Sequence, residues 1–240
     1  MNRRAILIIP LLLVLARVSP AQTKIKWQGH TWKVTNGGMA GVAPGDPSNV
    51  SVDASGFLHL NIVKKAGSWT AAELFTMDNL GFGTYQWVVE GDVWNMEPVT
   101  VLGLFPYGPT HGIGKDATNE IDIEFSQWNN TCACNADFTV YPPVSRGHDK
   151  PSYELNFKVD KGTNLTTARM VWTSASIVFT LMSGNQPLGT TTNILKTATY
   201  TSSKTDIPQL AIPVGINLWA FKSVPRAKQS VIIRSFQYAH

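Results

Sequence analysis

Short apolar runs with a period of two recur along this chain, and clusters of Gly, Pro, Asn and Asp separate them. The clearest runs, at 57–63, 84–89, 177–181 and 230–233, are rich in β-branched and aromatic residues. Side chains of a β-strand alternate between two faces, so such runs predict strands. Beyond the N-terminal segment, no stretch keeps a helical period of apolar residues. The pattern therefore predicts an all-β sandwich or barrel.

The N-terminal segment has the layout of a secretory signal peptide. Arg3 and Arg4 precede an apolar run of 12 residues, 5–16, and the small residues Ser19 and Ala21 follow. The run is shorter than the roughly 20 residues that span a bilayer. We therefore expect a signal peptide at 1–21 and a secreted protein, extracellular or periplasmic, that keeps no membrane attachment. Because no linker or repeat divides residues 22–240, we expect them to form one domain. We also expect the protein to be a monomer.

Cleavage after Ala21 is directly testable. N-terminal sequencing of the exported protein should start at Gln22, because Ser19 and Ala21 supply the small residues that signal peptidases require. Recovery of exported protein that still begins with Met1 would contradict the prediction.

The charge balance argues against nucleic-acid binding. Three of the 20 basic residues (Arg3, Arg4 and Arg17) lie in the signal segment, which leaves 17 basic residues against 16 acidic ones. Duplex binding usually depends on a concentrated basic patch, and no run of basic residues occurs.

The two cysteines, Cys132 and Cys134, are separated by one residue. A disulfide between them is conceivable in an oxidising compartment, although so tight a ring would be strained. A metal site needs more ligands, and His148 is the only other candidate nearby. We expect cysteines without a role in the chemistry.

The segment 119–125 carries the strongest chemical signal, because acidic and apolar residues alternate along it. On a strand, Glu120, Asp122 and Glu124 share one face and the apolar residues between them point into the core. Three unneutralised carboxylates on one face destabilise a strand locally, which favours a functional role. A solvated strand face and a calcium site are the alternatives, although calcium prefers loop oxygens and carbonyls.

Glycoside hydrolysis by paired carboxyl groups is the chemistry that this pattern favours. A retaining enzyme needs a nucleophile and an acid/base about 5–5.5 Å apart. Positions i and i+4 of a strand have Cα atoms about 13 Å apart, a gap that two Glu side chains on a concave strand could largely close. Close like charges also separate the pKa values of the carboxyls, which keeps one of them protonated.

The segment Glu120-Ile121-Asp122-Ile123-Glu124-Phe125 resembles the signature of glycoside hydrolase family 16, in its lichenase-like branch without a bulge residue. Four further segments in the same order are similar to family segments: 81–85, 105–109, 167–172 and 216–219. The resemblance implies a β-jelly roll of two curved antiparallel sheets with a concave substrate cleft. It also implies that Glu120 is the nucleophile, Asp122 its helper and Glu124 the acid/base, with cleft residues Glu73, Phe105, Tyr141, Asn217 and Trp219.

Three positions depart from the lichenase pattern, and they affect the cleft. Phe75, Thr118 and Thr139 stand where lichenases usually have Arg, Trp and Asn. Ser235 lies in the region where an Asp often helps to bind calcium, so a structural calcium ion has no support, and we expect no cofactor.

The expected activity is endo-acting, retaining hydrolysis of β-glucan, with mixed-linkage β-1,3-1,4-glucan as the first candidate substrate. A β-1,3-glucanase, a galactan hydrolase and a transglycosylase of the same family are alternatives. A non-catalytic carbohydrate-binding jelly roll would keep the aromatic residues but would not need the carboxylate triplet. A structural surface protein would have no cleft.

Overall fold

A computed structural model describes residues 23–108, 118–147 and 150–240. The proposed signal peptide, Pro109 and His148 lie outside these ranges. In chain order the strands are β1 Lys24–Trp27, β2 His30–Val34, β3 Val50–Val52, β4 Leu58–Lys65, β5 Ser68–Thr70, β6 Ala72–Thr76, β7 Gly83–Glu90, β8 Thr100–Pro106, β9 Glu120–Ser126, β10 Ala136–Tyr141, β11 Tyr153–Phe157, β12 Leu165–Trp172, β13 Ser176–Ser183, β14 Ile194–Thr201, β15 Val214–Ala220 and β16 Gln229–Ala239. Three 3-10 turns, Pro47–Asn49, Val93–Asn95 and Trp128–Asn130, make up the helical structure of the described residues.

The strands form two antiparallel sheets of eight. The front sheet has the order β1-β2-β6-β15-β8-β9-β10-β11, and the back sheet has the order β14-β13-β12-β7-β16-β4-β3 with β5 paired to β4. Hairpin-connected strands such as β9 and β10 alternate in these orders with neighbours that are distant in sequence, such as β6 and β15 or β7 and β16, as in a jelly roll. The sequence-based fold prediction is confirmed.

The core lies between the sheets because each strand places alternate side chains there. In β4, Leu58, Leu60 and Ile62 are fully buried while the residues between them are partly exposed. Phe138 of the front sheet stacks on Phe179 of the back sheet with ring centroids 4.7 Å apart and an interplanar angle of 7°. Aromatic pairs of this kind join the two layers.

The predicted runs coincide with observed strands. The run at 57–63 lies on β4, 84–89 on β7, 177–181 on β13 and 230–233 on β16. Among the described residues, none belongs to a helix that is long and apolar enough to cross a membrane.

Candidate active site

The acidic segment forms β9 as its alternation predicts. Ile121, Ile123 and Phe125 are fully buried in the core between the sheets. Glu120, Asp122 and Glu124 therefore lie on the opposite, outer face of the front sheet. Asp122 is buried with 4% of its surface exposed, whereas Glu120 and Glu124 are half-buried.

The strands on either side of β9 determine what surrounds each carboxyl group. Glu124 lies opposite Gly103 of β8 and Asp137 of β10. Asp122 pairs with Thr139, and Glu120 pairs with Tyr141. Residues directly opposite on one face have Cβ atoms about 4.5–5.5 Å apart, so these side chains are in contact range.

The electrostatics of the triplet follow from crowding and burial. Burial raises the pKa of Asp122 well above its ordinary value, and the charges of Glu120, Glu124 and Asp137 raise it further. A side-chain hydrogen bond joins Asp122 to Glu120. Such a bond leaves Asp122 as the protonated donor and Glu120 as the ionised acceptor.

Glu124 also favours its protonated form. Burial is the largest cause that raises the pKa of Glu124, and the charges of Asp137 and then Glu120 add to it. A carboxyl group that stays protonated near neutral pH can donate a proton to a leaving group. The strand thus carries, on one face, a glutamate that accepts a hydrogen bond from Asp122 and a second glutamate whose pKa is raised.

A fourth buried acid, Asp137, adjoins the triplet. Its side chain is 2% exposed and accepts hydrogen bonds from Trp128 Nε1 at 2.8 Å and Thr139 Oγ1 at 3.2 Å. Burial raises the pKa of Asp137 to about 7 against the lowering effect of both hydrogen bonds.

Glu73 and Asn217 form a hydrogen-bonded pair beside the triplet. Thr35 Oγ1 donates to Glu73 Oε2 at 2.8 Å, and Asn217 also bonds to Glu73. Asn217 Oδ1 accepts from the backbone N–H of Gly103 at 3.0 Å. A Cβ on Gly103 would meet that oxygen at 2.5 Å, so the close approach requires glycine. Burial raises the pKa of Glu73.

A cavity of about 720 Å³, called the first cavity below, includes Glu120, Glu73 and Asn217 in its lining. Aromatic side chains border it. Phe105 is only 5% exposed and packs edge-on against Phe75 at 5.7 Å between ring centroids. Trp219 is half-buried in the same wall. The loop 38–42 closes one side, where a Cβ on Gly41 would lie 2.5 Å from the Trp219 ring.

A second cavity of about 420 Å³ lies on the Glu124 side of the triplet. Its lining residues include Asp137, Thr139, Tyr141, Glu154 and Asn156. Trp128 belongs to this cavity, and its ring packs against Trp219 of the first one at 6.1 Å between centroids. The carboxylate triplet thus lies between two cavities.

Cys132 and Cys134 are joined in a disulfide, the pairing that the sequence left open. The bridge closes a short ring in the loop between β9 and β10, and Cys132 lines the second cavity.

No metal-binding cluster of three or more His, Cys, Asp or Glu residues occurs in the part of the chain that the structure describes. Ser235 lies in β16 of the back sheet, remote from the carboxylates of the front sheet.

Solved structures of similar fold include glycosidases. A Bacillus licheniformis β-glucanase superposes with a TM-score of 0.63 at 20% identity, over 92% of this chain and 100% of that chain. A β-1,3-1,4-glucanase (lichenase) from a mouse hindgut metagenome gives 0.61 at 22% identity, over 86% and 92%. An immunostimulatory antigen and pseudo β-1,3-glucanase of Mycobacterium tuberculosis gives 0.61 at 16% identity, over 92% and 93%. Sequence comparisons with family models and curated proteins give no match.

The chain has the β-glucanase fold. Its resemblance to the lichenase-like branch is therefore confirmed at the level of the fold. On that fold, the residues predicted for the site come together on the outer face of the front sheet. Glu73, Phe105, Asn217 and Trp219 line the first cavity, and Tyr141 lines the second.

Sequence reasoning did not find three polar residues of this β-glucanase-like cleft: Asp137, Glu154 and Asn156. One signal was available for Asp137, since it alternates with Thr139 and Tyr141 along β10. The register that places it opposite Glu124 depends on the turn between β9 and β10, which the local pattern does not reveal.

Proposed function

We propose that this protein is a secreted, retaining endo-β-glucanase, with mixed-linkage β-1,3-1,4-glucan as its substrate. The observation that carries the proposal is the triplet Glu120, Asp122 and Glu124, aligned on one strand between two cavities. The β-glucanase fold supports it, because this triplet occupies the face that would contact a sugar chain.

In the proposed reaction, the Glu120 carboxylate attacks the anomeric carbon as Glu124 donates its proton to the departing glycosidic oxygen. The bond between the anomeric carbon and that oxygen breaks, and a glycosyl ester forms on Glu120. Glu124, now ionised, takes a proton from water as that water attacks the anomeric carbon from the face opposite Glu120. The bond between the anomeric carbon and the Glu120 oxygen then breaks and releases the Glu120 carboxylate. Asp122 holds Glu120 in position through their hydrogen bond.

The two cavities support an endo-acting enzyme, because a polysaccharide that enters one side can leave on the other. Trp219, Phe75 and Tyr107 offer aromatic surface on the first side, where the apolar C–H faces of sugar rings can pack. Glu73 and Asn217 offer hydrogen-bonding groups for hydroxyls.

A non-catalytic carbohydrate-binding protein is the main alternative from another class. The fold alone does not decide between them, since one protein of this fold is described as a pseudo β-1,3-glucanase. A binding protein would gain nothing from burying Asp122 between two other acids, which is costly without a catalytic use. A galactan hydrolase or transglycosylase would share the triplet and differ in the cleft, at positions such as Phe75 and Thr139.

A panel of polysaccharides tests the proposal. Purified protein should release reducing ends from mixed-linkage β-glucan faster than from β-1,3-glucan or galactan. Proton NMR of the earliest products should show the β-anomer first, because two displacements at one carbon retain configuration. Activity on none of these polymers would refute the hydrolase, and an initial α-anomer would refute the covalent intermediate.

A further inference from the structure

Asp137 is a buried acid to which the proposed reaction assigns no role. Burying a carboxyl group is costly unless something compensates for the lost hydration. Two neutral donors, the Trp128 indole and the Thr139 hydroxyl, offset only part of that cost. Among the described residues that line the second cavity, none is Lys, Arg or His. A buried acid without a cation among these lining residues points to a role in the site.

The position of Asp137 is specific. It lies directly opposite Glu124 on the neighbouring strand, and both side chains are on the outer face of the front sheet. Trp128 and Thr139 hold one carboxylate oxygen each, so the orientation of Asp137 is constrained. Two carboxyl groups at such short range cannot both ionise readily, and they therefore retain one proton between them.

We propose that Asp137 is a positioning residue that acts through Glu124 and keeps Glu124 protonated for its task as general acid. This inference rests on the proposed function for its consequence, although the pairing of the two carboxyls does not depend on it. The Trp128 indole stabilises the ionised form of Asp137, so the shared proton resides on Glu124.

Other charges around the pair are compatible with this assignment. Glu120 and Asp122 lie on the same strand as Glu124, and Glu154 of β11 lies diagonal to Asp137, opposite Thr139. Among the neighbouring charges, that of Asp137 raises the pKa of Glu124 more than that of Glu120 does. Glu154 is exposed and its carboxylate accepts from Asn156 Nδ2 at 2.7 Å, so solvent screens its effect.

The test is a carbon-13 NMR titration of the glutamate carboxyl carbons, with the Glu124 signal assigned from Glu124→Gln. In Asp137→Asn the titration midpoint of Glu124 should fall by at least about one pH unit, because the repelling charge is gone. Glu154→Gln is the matched control, since it removes one negative charge from the same cavity. It should move the midpoint much less. An unchanged or higher midpoint in folded Asp137→Asn overturns the proposal.

A second variant covers the case in which Asp137→Asn does not fold. Trp128→Phe removes the indole donor and leaves every charge in place, so Asp137 becomes the better base and takes the shared proton. The Glu124 midpoint should fall again, and no change would overturn the proposal.

Activity supplies a readout that a purely structural role would not move. On glucan, the basic limb of the pH profile of kcat/KM should shift to lower pH in Asp137→Asn together with the NMR midpoint. A structural defect would instead lower kcat/KM equally at every pH. If the titration midpoint falls but the wild type cleaves no glycan, the interaction between Asp137 and Glu124 is supported and the proposed function is refuted. If the wild type is active but the midpoint does not move, the proposed function is supported and the role of Asp137 is refuted.

Discussion

Glu124→Ala is expected to lower kcat/KM on natural glucan by about 10²–10⁴-fold, because a sugar leaving group needs a proton from a general acid. Aryl glycosides with good leaving groups need little protonation, so formation of the glycosyl-enzyme should largely survive. Azide can then attack the accumulated intermediate from the face that water would use, and the product should be a β-glycosyl azide. Initial rates and product NMR measure both effects.

Glu120→Ala should behave differently, because the nucleophile itself is lost. Activated aryl glycosides should fail together with natural glucan. A small anion that fills the space of the missing side chain would attack the intact β-substrate and give an α-product. The reverse pattern, in which Glu120→Ala spares activated substrates and Glu124→Ala abolishes their cleavage, would overturn the assignment of roles.

Phe138→Ala is expected to cause a large loss of stability, about 3–5 kcal/mol, because it empties a buried aromatic site. Phe138 is fully buried on β10 and contacts Phe179 and Phe157, each at 4.7 Å between ring centroids. A domain of this size loses about 2–4 °C in Tm for each kcal/mol. We therefore expect Tm to fall by about 6–20 °C in a calorimetric scan.

Leu210→Ala is the control for Phe138→Ala, since Leu210 is 56% exposed. Its effect on the free energy of unfolding should stay within about 0.5 kcal/mol. Equal losses for the two variants would mean that the contact between the sheets contributes little. The cavity left by Phe138→Ala should also disturb Asp137 and Thr139, the neighbours of Phe138 along β10.

Local alternation explains why most of the fold was predictable from the sequence. The face of each residue within a strand depends only on its parity, so Ile121 and Ile123 could be assigned to the core and Asp122 to the outer face. The same rule separates Leu60 from His59 in β4. These assignments need no knowledge of which strands are neighbours.

Pairing between strands depends on turns and long-range contacts, and there the sequence was insufficient. Trp128 adopts a left-handed backbone with φ of 47° in the turn that leads from β9 toward β10. An aromatic residue is uncommon in that conformation, so no local pattern predicts the turn or the register that follows it. The partnership of Asp137 with Glu124 could therefore be found only from the structure.

The three acids of the triplet belong to one interior strand, whereas the loop 38–42 supplies part of the wall of the first cavity. A strand that is hydrogen-bonded on both sides keeps the spacing between its residues fixed, so the distance between Glu120 and Glu124 is independent of that loop. Substitutions or insertions at 38–42 can consequently alter which polymer is accepted without changing the reacting groups. By contrast, one residue added within β9 would move the side chains on one side of the insertion to the opposite face, so that part of the triplet would point into the core. Selection on such a chain can act freely on substrate preference while the chemistry stays constant.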